Sequence, residues 1–191
     1  GTPYGLNDKS PQWNREVLSK LVSLSQNYDH TTLVIAGYWN YYIQVNKDLF
    51  IESLRETLVK ISQSGIHRIV LMGQVPRFGK QVESPEIYAR GLEKILPLRK
   101  TRNYRNPIIN DRIKEHTELF SDLLTELGLD PHRFVVFESA SEFIADDGKF
   151  FPFKQVNDLL VPLYLDGGHI NQLGAHVLTK PLSKIVGPSL K

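Results

Sequence analysis

The sequence predicts an α/β fold, with a central parallel sheet covered by helices on both faces. Two observations predict it. Segments with apolar residues at helical spacing alternate with short, continuously apolar runs rich in β-branched residues. Such runs suit parallel strands buried on both faces. Glycines and polar side chains then gather where those runs end, at Gly37–Asn40, Gly73–Pro76, Ser139 and Asp166–His169. The carboxyl ends of the strands are where sheets of this kind hold ligands.

The elements follow in order. Residues 11–27 place Val17, Leu18, Leu21, Val22 and Leu24 at helical spacing, and Pro11 suits a first turn. Thr31 to Trp39 (TTLVIAGYW) reads as a short buried strand. Residues 47–64 repeat at helical spacing and stop at Gly65. His67 to Pro76 (HRIVLMGQVP) is the second strand, closed by its proline. Residues 77–107 break the rhythm with charge and with Gly79, Pro85, Gly91 and Pro97, and read as a long excursion with a short helix near 87–95. Residues 110–128 form an amphipathic helix ending at Gly128, Arg133 to Ser139 a third strand, and Val161 to Asp166 a short extended run. Gln172 to Val186 is a final helix interrupted by Pro181.

Composition narrows the function classes. At 191 residues the default is one domain, spanning 1–191, and a hydrophobic share of 41 % is enough for a real core. A net charge of +2 is too near balance for a general polyanion binder. The basic run 98–107 (LRKTRNYRNP) lacks a wider basic face, so nucleic acid is not expected as a partner. The absence of cysteine excludes disulfides, thiolate metal sites and a cysteine nucleophile. No apolar run approaches the roughly 20 residues of a membrane span, and no signal-peptide pattern opens the chain. Gly1-Thr2 reads as a cloning remnant, with the natural start upstream.

Three stretches could carry chemistry. In LYLDGGHINQLGAHVL (163–178), Asp166 stands three residues before His169 at a strand-to-helix turn. A histidine near neutral pH can act as general base and then as general acid, and a carboxylate at its other ring nitrogen fixes the tautomer. A capping aspartate beside a surface histidine is the bland alternative. In AGYWNYY (36–42), the Gly37 N–H and the Asn40 amide could donate to a developing oxyanion. Tyr38, Trp39, Tyr41 and Tyr42 could stack on a sugar ring, or simply fill the core. In LMGQVPRFG (71–79), Gln74 and Arg77 could point at a ligand from a rigid strand exit. The remaining histidines, His30, His67, His116, His132 and His176, show no metal-ligand spacing, so no metal is expected.

Together these residues resemble a known family. LYLDGGHINQLGA is similar to the last block of the SGNH/GDSL hydrolases, in which Asp-x-x-His completes a Ser-His-Asp triad. More narrowly, the order LVIAGYWNYY, RIVLMGQVP, RFVVFES and the final Asp-x-x-His resembles the SGNH domain fused behind the acyltransferase-3 membrane domain of bacterial sugar O-acyltransferases. The resemblance covers roughly residues 11–185, and its last block is the specific part. It implies a three-layer, flavodoxin-like SGNH fold and makes Asp166 and His169 triad members. Gly37, Trp39 and Asn40 fall at the family's third block and, with Gln74, become oxyanion or substrate-binding residues. Asn40 lies three residues after Gly37, so the family's Gly-x-Asn spacing is not met.

The resemblance also implies a sugar or polysaccharide acceptor, and an acyl donor delivered by the membrane domain. It implies no cofactor and an extracytoplasmic, periplasmic setting tethered to the inner membrane. The family's Gly-Asp-Ser block, on its first and central strand, has no counterpart here. The chain is therefore expected to lack that strand, leaving a hole in the sheet. Three explanations stay open: a C-terminal piece of a larger protein, a scaffold that lost the reaction, or Ser139 as substitute nucleophile. Against the last, SASE (139–142) is a ready capping box. The rival activities are a carbohydrate esterase or deacetylase using the same triad, and a glycan-binding remnant without catalysis.

Overall fold

The computed structural model describes residues 10–28, 30–77, 115–144, 150, 152–157, 159–165 and 169–187, with side chains from residue 16 onward. Contacts divide the chain into two compact units: Gly1–Gln74 with Lys114–Glu138, and Val75–Ile113 with Ser139–Lys191.

The first unit is α/β. Its elements are α1 (Ser10–Ser25), β1 (Thr32–Ile35), α2 (Trp39–Ser62), β2 (Arg68–Met72), α3 (Glu115–Glu126) and β3 (Phe134–Phe137). The three strands form a parallel sheet in the order β1-β2-β3. The expected hole is not there. β1 pairs directly with β2, from Thr32–Arg68 to Ile35–Leu71, so the backbone groups on that side of each strand find partners.

Strand alternation puts Leu33, Ile35, Ile69, Leu71, Phe134 and Val136 on one sheet face. They pack with Phe50, Leu54, Leu58 and Ile61 of α2 and with Phe120, Leu123 and Leu124 of α3 into one core, which Leu18 and Leu21 of α1 also join. The spacing 50, 54, 58, 61 is a single helical stripe.

The first strand is shorter than its sequence predicts. It stops at Ile35, and Trp39 begins α2. α2 is two helical segments joined at Asn46, which has φ −162° and ψ 97°. The Asn46 side-chain oxygen accepts from the Leu49 N–H at 3.1 Å and so caps the second segment. That second segment is the helix the sequence predicts from residue 47. The first, WNYYIQV, is aromatic and β-branched and has poor intrinsic helix propensity.

The second unit contains a 3-10 turn (Ser139–Phe143), β4 (Phe153–Val156), β5 (Leu159–Pro162) and α4 (Gln172–Val186). β4 and β5 pair antiparallel, from Phe153–Pro162 to Val156–Leu159. Asn157 sits in the turn between them at φ +48°, a conformation asparagine tolerates better than most residues. Of the extended run expected at 161–166, Val161 and Pro162 belong to this hairpin and not to the parallel sheet, and Asp166 lies outside the described residues. α4 packs against the 3-10 turn and runs unbroken through Pro181. The excursion beyond Arg77, its short helix, the basic run 98–107 and residues 110–114 of the third expected helix lie outside the described residues.

Candidate active site

The site residues expected from the sequence fall into two groups, one in each unit. Gly37, Trp39, Asn40 and Gln74 meet in the first unit, where β1 and β2 end and α2 begins. Trp39 is buried in the core, with its ring edge-to-face on Phe120 at 5.2 Å. Its indole N–H donates to the Met72 carbonyl at 2.8 Å. The indole is thus committed to tying the start of α2 to the end of β2, and its face is not offered to a substrate. Gly37 makes room for it, since a Cβ there would stand 3.0 Å from the indole ring.

Asn40 and Gln74 are joined directly. The Asn40 backbone N–H donates to Gln74 Oε1 at 3.0 Å, and both residues are buried. The Gln74 backbone N–H donates in turn to Nε2 of His116 at 2.8 Å. The Asn40 side-chain oxygen is buried with no hydrogen-bond partner among the described residues. Asparagine O and N positions are interchangeable by rotating the amide, so this group can present either an acceptor or a donor. It is one polar group of this corner with bonding capacity to spare. The first turn of α2 carries no acidic residue, which leaves the positive end of the helix dipole uncompensated by local charge.

The tyrosines sort by exposure. Tyr42 is buried and stacks on Phe50, and its burial, helped by neighbouring Tyr41, raises its phenol pKa. Tyr38 and Tyr41 stack on each other at 5.7 Å and remain 43 % and 51 % exposed. Of the four aromatics that the sequence offers to a sugar ring, these two are the ones at the surface.

His169 lies in the second unit, exposed, just ahead of α4. Its backbone carbonyl accepts from the Leu165 N–H at 2.8 Å, which closes a short loop. Asp166, Gly167 and Gly168, between these two residues in the sequence, lie outside the described residues. Asn171 anchors the loop's far side. Its N–H donates to the Leu163 carbonyl at 2.9 Å and its side-chain NH₂ to the Pro162 carbonyl at 2.7 Å. Its side-chain oxygen caps α4 by accepting from the Gly174 N–H at 3.0 Å. Gly174 is required by the close approach, because a Cβ there would collide with the Leu163 carbonyl oxygen. The Tyr164 hydroxyl donates to the Pro76 carbonyl at 2.6 Å, and burial pushes that phenol's pKa upward.

Ser139 is fully buried at the start of the 3-10 turn, so its hydroxyl is out of a substrate's reach in this conformation. His30 and His67 meet edge to face at 5.4 Å, but the described residues hold no group of three or more metal-ligating side chains. No helix among them is long and apolar enough to cross a membrane.

Sequence reasoning passed over His116 and Asn171. An asparagine directly before a helical pattern is a recognised N-cap signal and could have found Asn171. Nothing local in the sequence marks His116, whose partner is 42 positions away.

Among curated proteins and solved structures, nothing matches the chain. A family model, the SGNH domain fused to AT3 domains, matches residues 2–184. The match runs through both compact units and includes the Asp-x-x-His block. The mixed α/β architecture, with its three parallel strands flanked by helices, agrees with that fold. The chain therefore belongs to the SGNH domain family that occurs fused to AT3 domains.

Proposed function

We propose that this chain is the SGNH-type domain of a bacterial O-acyltransferase that moves an acetyl group onto a sugar hydroxyl of a cell-surface polysaccharide. The observation that carries the reading is the presentation of His169. It is exposed at the head of a helix, on a loop pinned by Leu165 and Asn171, in a chain that matches the AT3-fused SGNH family. The match through both units supports treating residues 1–191 as one domain.

A serine from outside these 191 residues attacks the acyl carbonyl, and His169 takes its proton. Asp166 holds the imidazole's other nitrogen. The donors we assign to the tetrahedral oxyanion are the Gly37 N–H and the Asn40 amide, which Gln74 aligns. Collapse expels the donor's leaving group, protonated by His169, and leaves an acyl-serine. The sugar hydroxyl then attacks the acyl-serine carbonyl, His169 accepts its proton and returns it to the departing serine oxygen, and the acetylated sugar is released. Tyr38 and Tyr41 are the exposed rings we assign to contact with a sugar. The acyl group arrives through the fused membrane domain, which puts the site on the periplasmic side of the inner membrane.

Labelling with a serine-directed fluorophosphonate, read by mass spectrometry on the intact protein, tests this reading. The expected result is one labelled serine outside these residues, with labelling abolished in His169→Ala. Label on Ser139, or no label at all, would contradict it.

A further inference from the structure

We propose that His116, a residue with no assigned part in acyl transfer, is a positioning residue for the oxyanion-binding corner. The inference rests on the proposed function and adds a group to it.

His116 puts a histidine to an unusual use. His116 lies in the first turn of α3 and is fully buried. Its Nε2 accepts the Gln74 backbone N–H at 2.8 Å. An imidazole nitrogen that accepts carries no proton, so His116 is held neutral with its proton on Nδ1. The N–H it satisfies lies just past the end of β2, where no strand supplies a carbonyl. Left buried without an acceptor, such a group would be costly.

The contacts around it converge on one tripeptide. The Met72 carbonyl takes the Trp39 indole N–H at 2.8 Å, and the Gly73 N–H donates to the Phe137 carbonyl at 2.7 Å. The Gln74 N–H goes to His116 at 2.8 Å, and the Gln74 side-chain oxygen takes the Asn40 N–H at 3.0 Å. Gly73 permits the close fit: a Cβ there would stand 2.9 Å from Thr117 Cγ2 and 3.2 Å from His116 Nε2. His116 therefore fixes the Gln74 backbone. Gln74 fixes the first turn of α2, and that turn carries the Asn40 amide. A leucine at 116 would pack against Phe120 as readily, but could not hold Gln74.

A donor displaced by a fraction of an ångström from a developing oxyanion loses transition-state binding while ground-state binding persists. The test compares His116→Leu, which deletes the acceptor, with His116→Gln, whose side-chain oxygen can reach the Nε2 position. Both are made in the intact protein and assayed on 4-nitrophenyl acetate. The expected result for His116→Leu is a kcat lower by about thirtyfold to a hundredfold, with KM within about threefold of wild type. His116→Gln should recover most of the loss.

Nitrogen-15 spectra provide a second readout should His116→Leu fail to fold. In the wild type, Nε2 of His116 should be unprotonated, and the Gln74 amide should shift in His116→Gln. A folded His116→Leu with wild-type kcat, no rescue by glutamine, or a protonated Nε2 would each overturn the proposal. His169→Ala, run alongside, separates the two readings. If it abolishes turnover while His116→Leu does not, only the positioning role falls. If wild type and His169→Ala turn over alike, the acyl-transfer reading falls and takes this role with it.

Discussion

Asn171 shows how one side chain can fix the backbone on both sides of a helix start. It caps α4 through Gly174, holds the Pro162 carbonyl, and so fixes the far end of the loop that carries His169. Asn171→Ala should cost about 1–2 kcal/mol, measured by urea unfolding, and Asn171→Asp should recover the capping share. An alanine variant as stable as wild type would show that the cap is dispensable. Tyr164 makes a pH-dependent contribution. Its phenol, ordinarily near pKa 10.0, is raised by burial, so the folded state keeps a proton that the unfolded chain loses above that pH. Stability is therefore unaffected below pH 10 and should fall above it, by up to about 1.4 kcal/mol per pH unit. Comparing alkaline unfolding of the wild type with Tyr164→Phe isolates this share, because the variant should lack it. Identical slopes would show that the phenol ionises freely in the folded protein.

Among the elements, α2 depends most on a distant residue. Its C-terminal end meets the Arg133 guanidinium, which donates to the carbonyls of Ile61, Ser62, Ser64 and Ile66 at 2.6–3.2 Å while lying 5.5 Å from the Phe134 ring centroid. The planar fork bridges carbonyls at the end of the helix and just beyond it, and meets the negative end of the helix dipole. Arg133→Ala should cost about 2–4 kcal/mol, and Arg133→Lys should restore little, since an ammonium cannot span four carbonyls. Thermal unfolding of both variants decides the matter, and a loss confined to the alanine variant would contradict the fork.

Where periodicity was strong, the sequence was a good guide to these elements: α1, the second half of α2, and α4 with Pro181 inside it all stand where their apolar spacing puts them. The first half of α2 was hidden because WNYYIQV looks like a strand, and tertiary burial of Trp39, Tyr42 and Ile43 overrides that propensity. The β4–β5 hairpin was missed because Asn157-Asp158 between FKQV and LLVP contains no glycine, although Asn157 tolerates the positive φ of the turn.

At the scale of the whole chain, the family was legible from one compact block, because Asp-x-x-His followed by a capped helix is local in sequence. The corner joining Gly37, Asn40, Gln74 and His116 was only half legible. Its members were visible as glycines and amides at strand ends, but the bonds between them span 34 and 42 positions. Trp39 was legible as important but not as a core anchor, since aromatic composition is the same in a binding face and in a core. The central claim is that His169 is the proton carrier of an acyl-transfer site. It is tested most directly by acetyl-ester turnover of the intact protein beside its His169→Ala variant. The account predicts a loss of about a thousandfold or more in kcat with the fold intact. A loss under tenfold would contradict it.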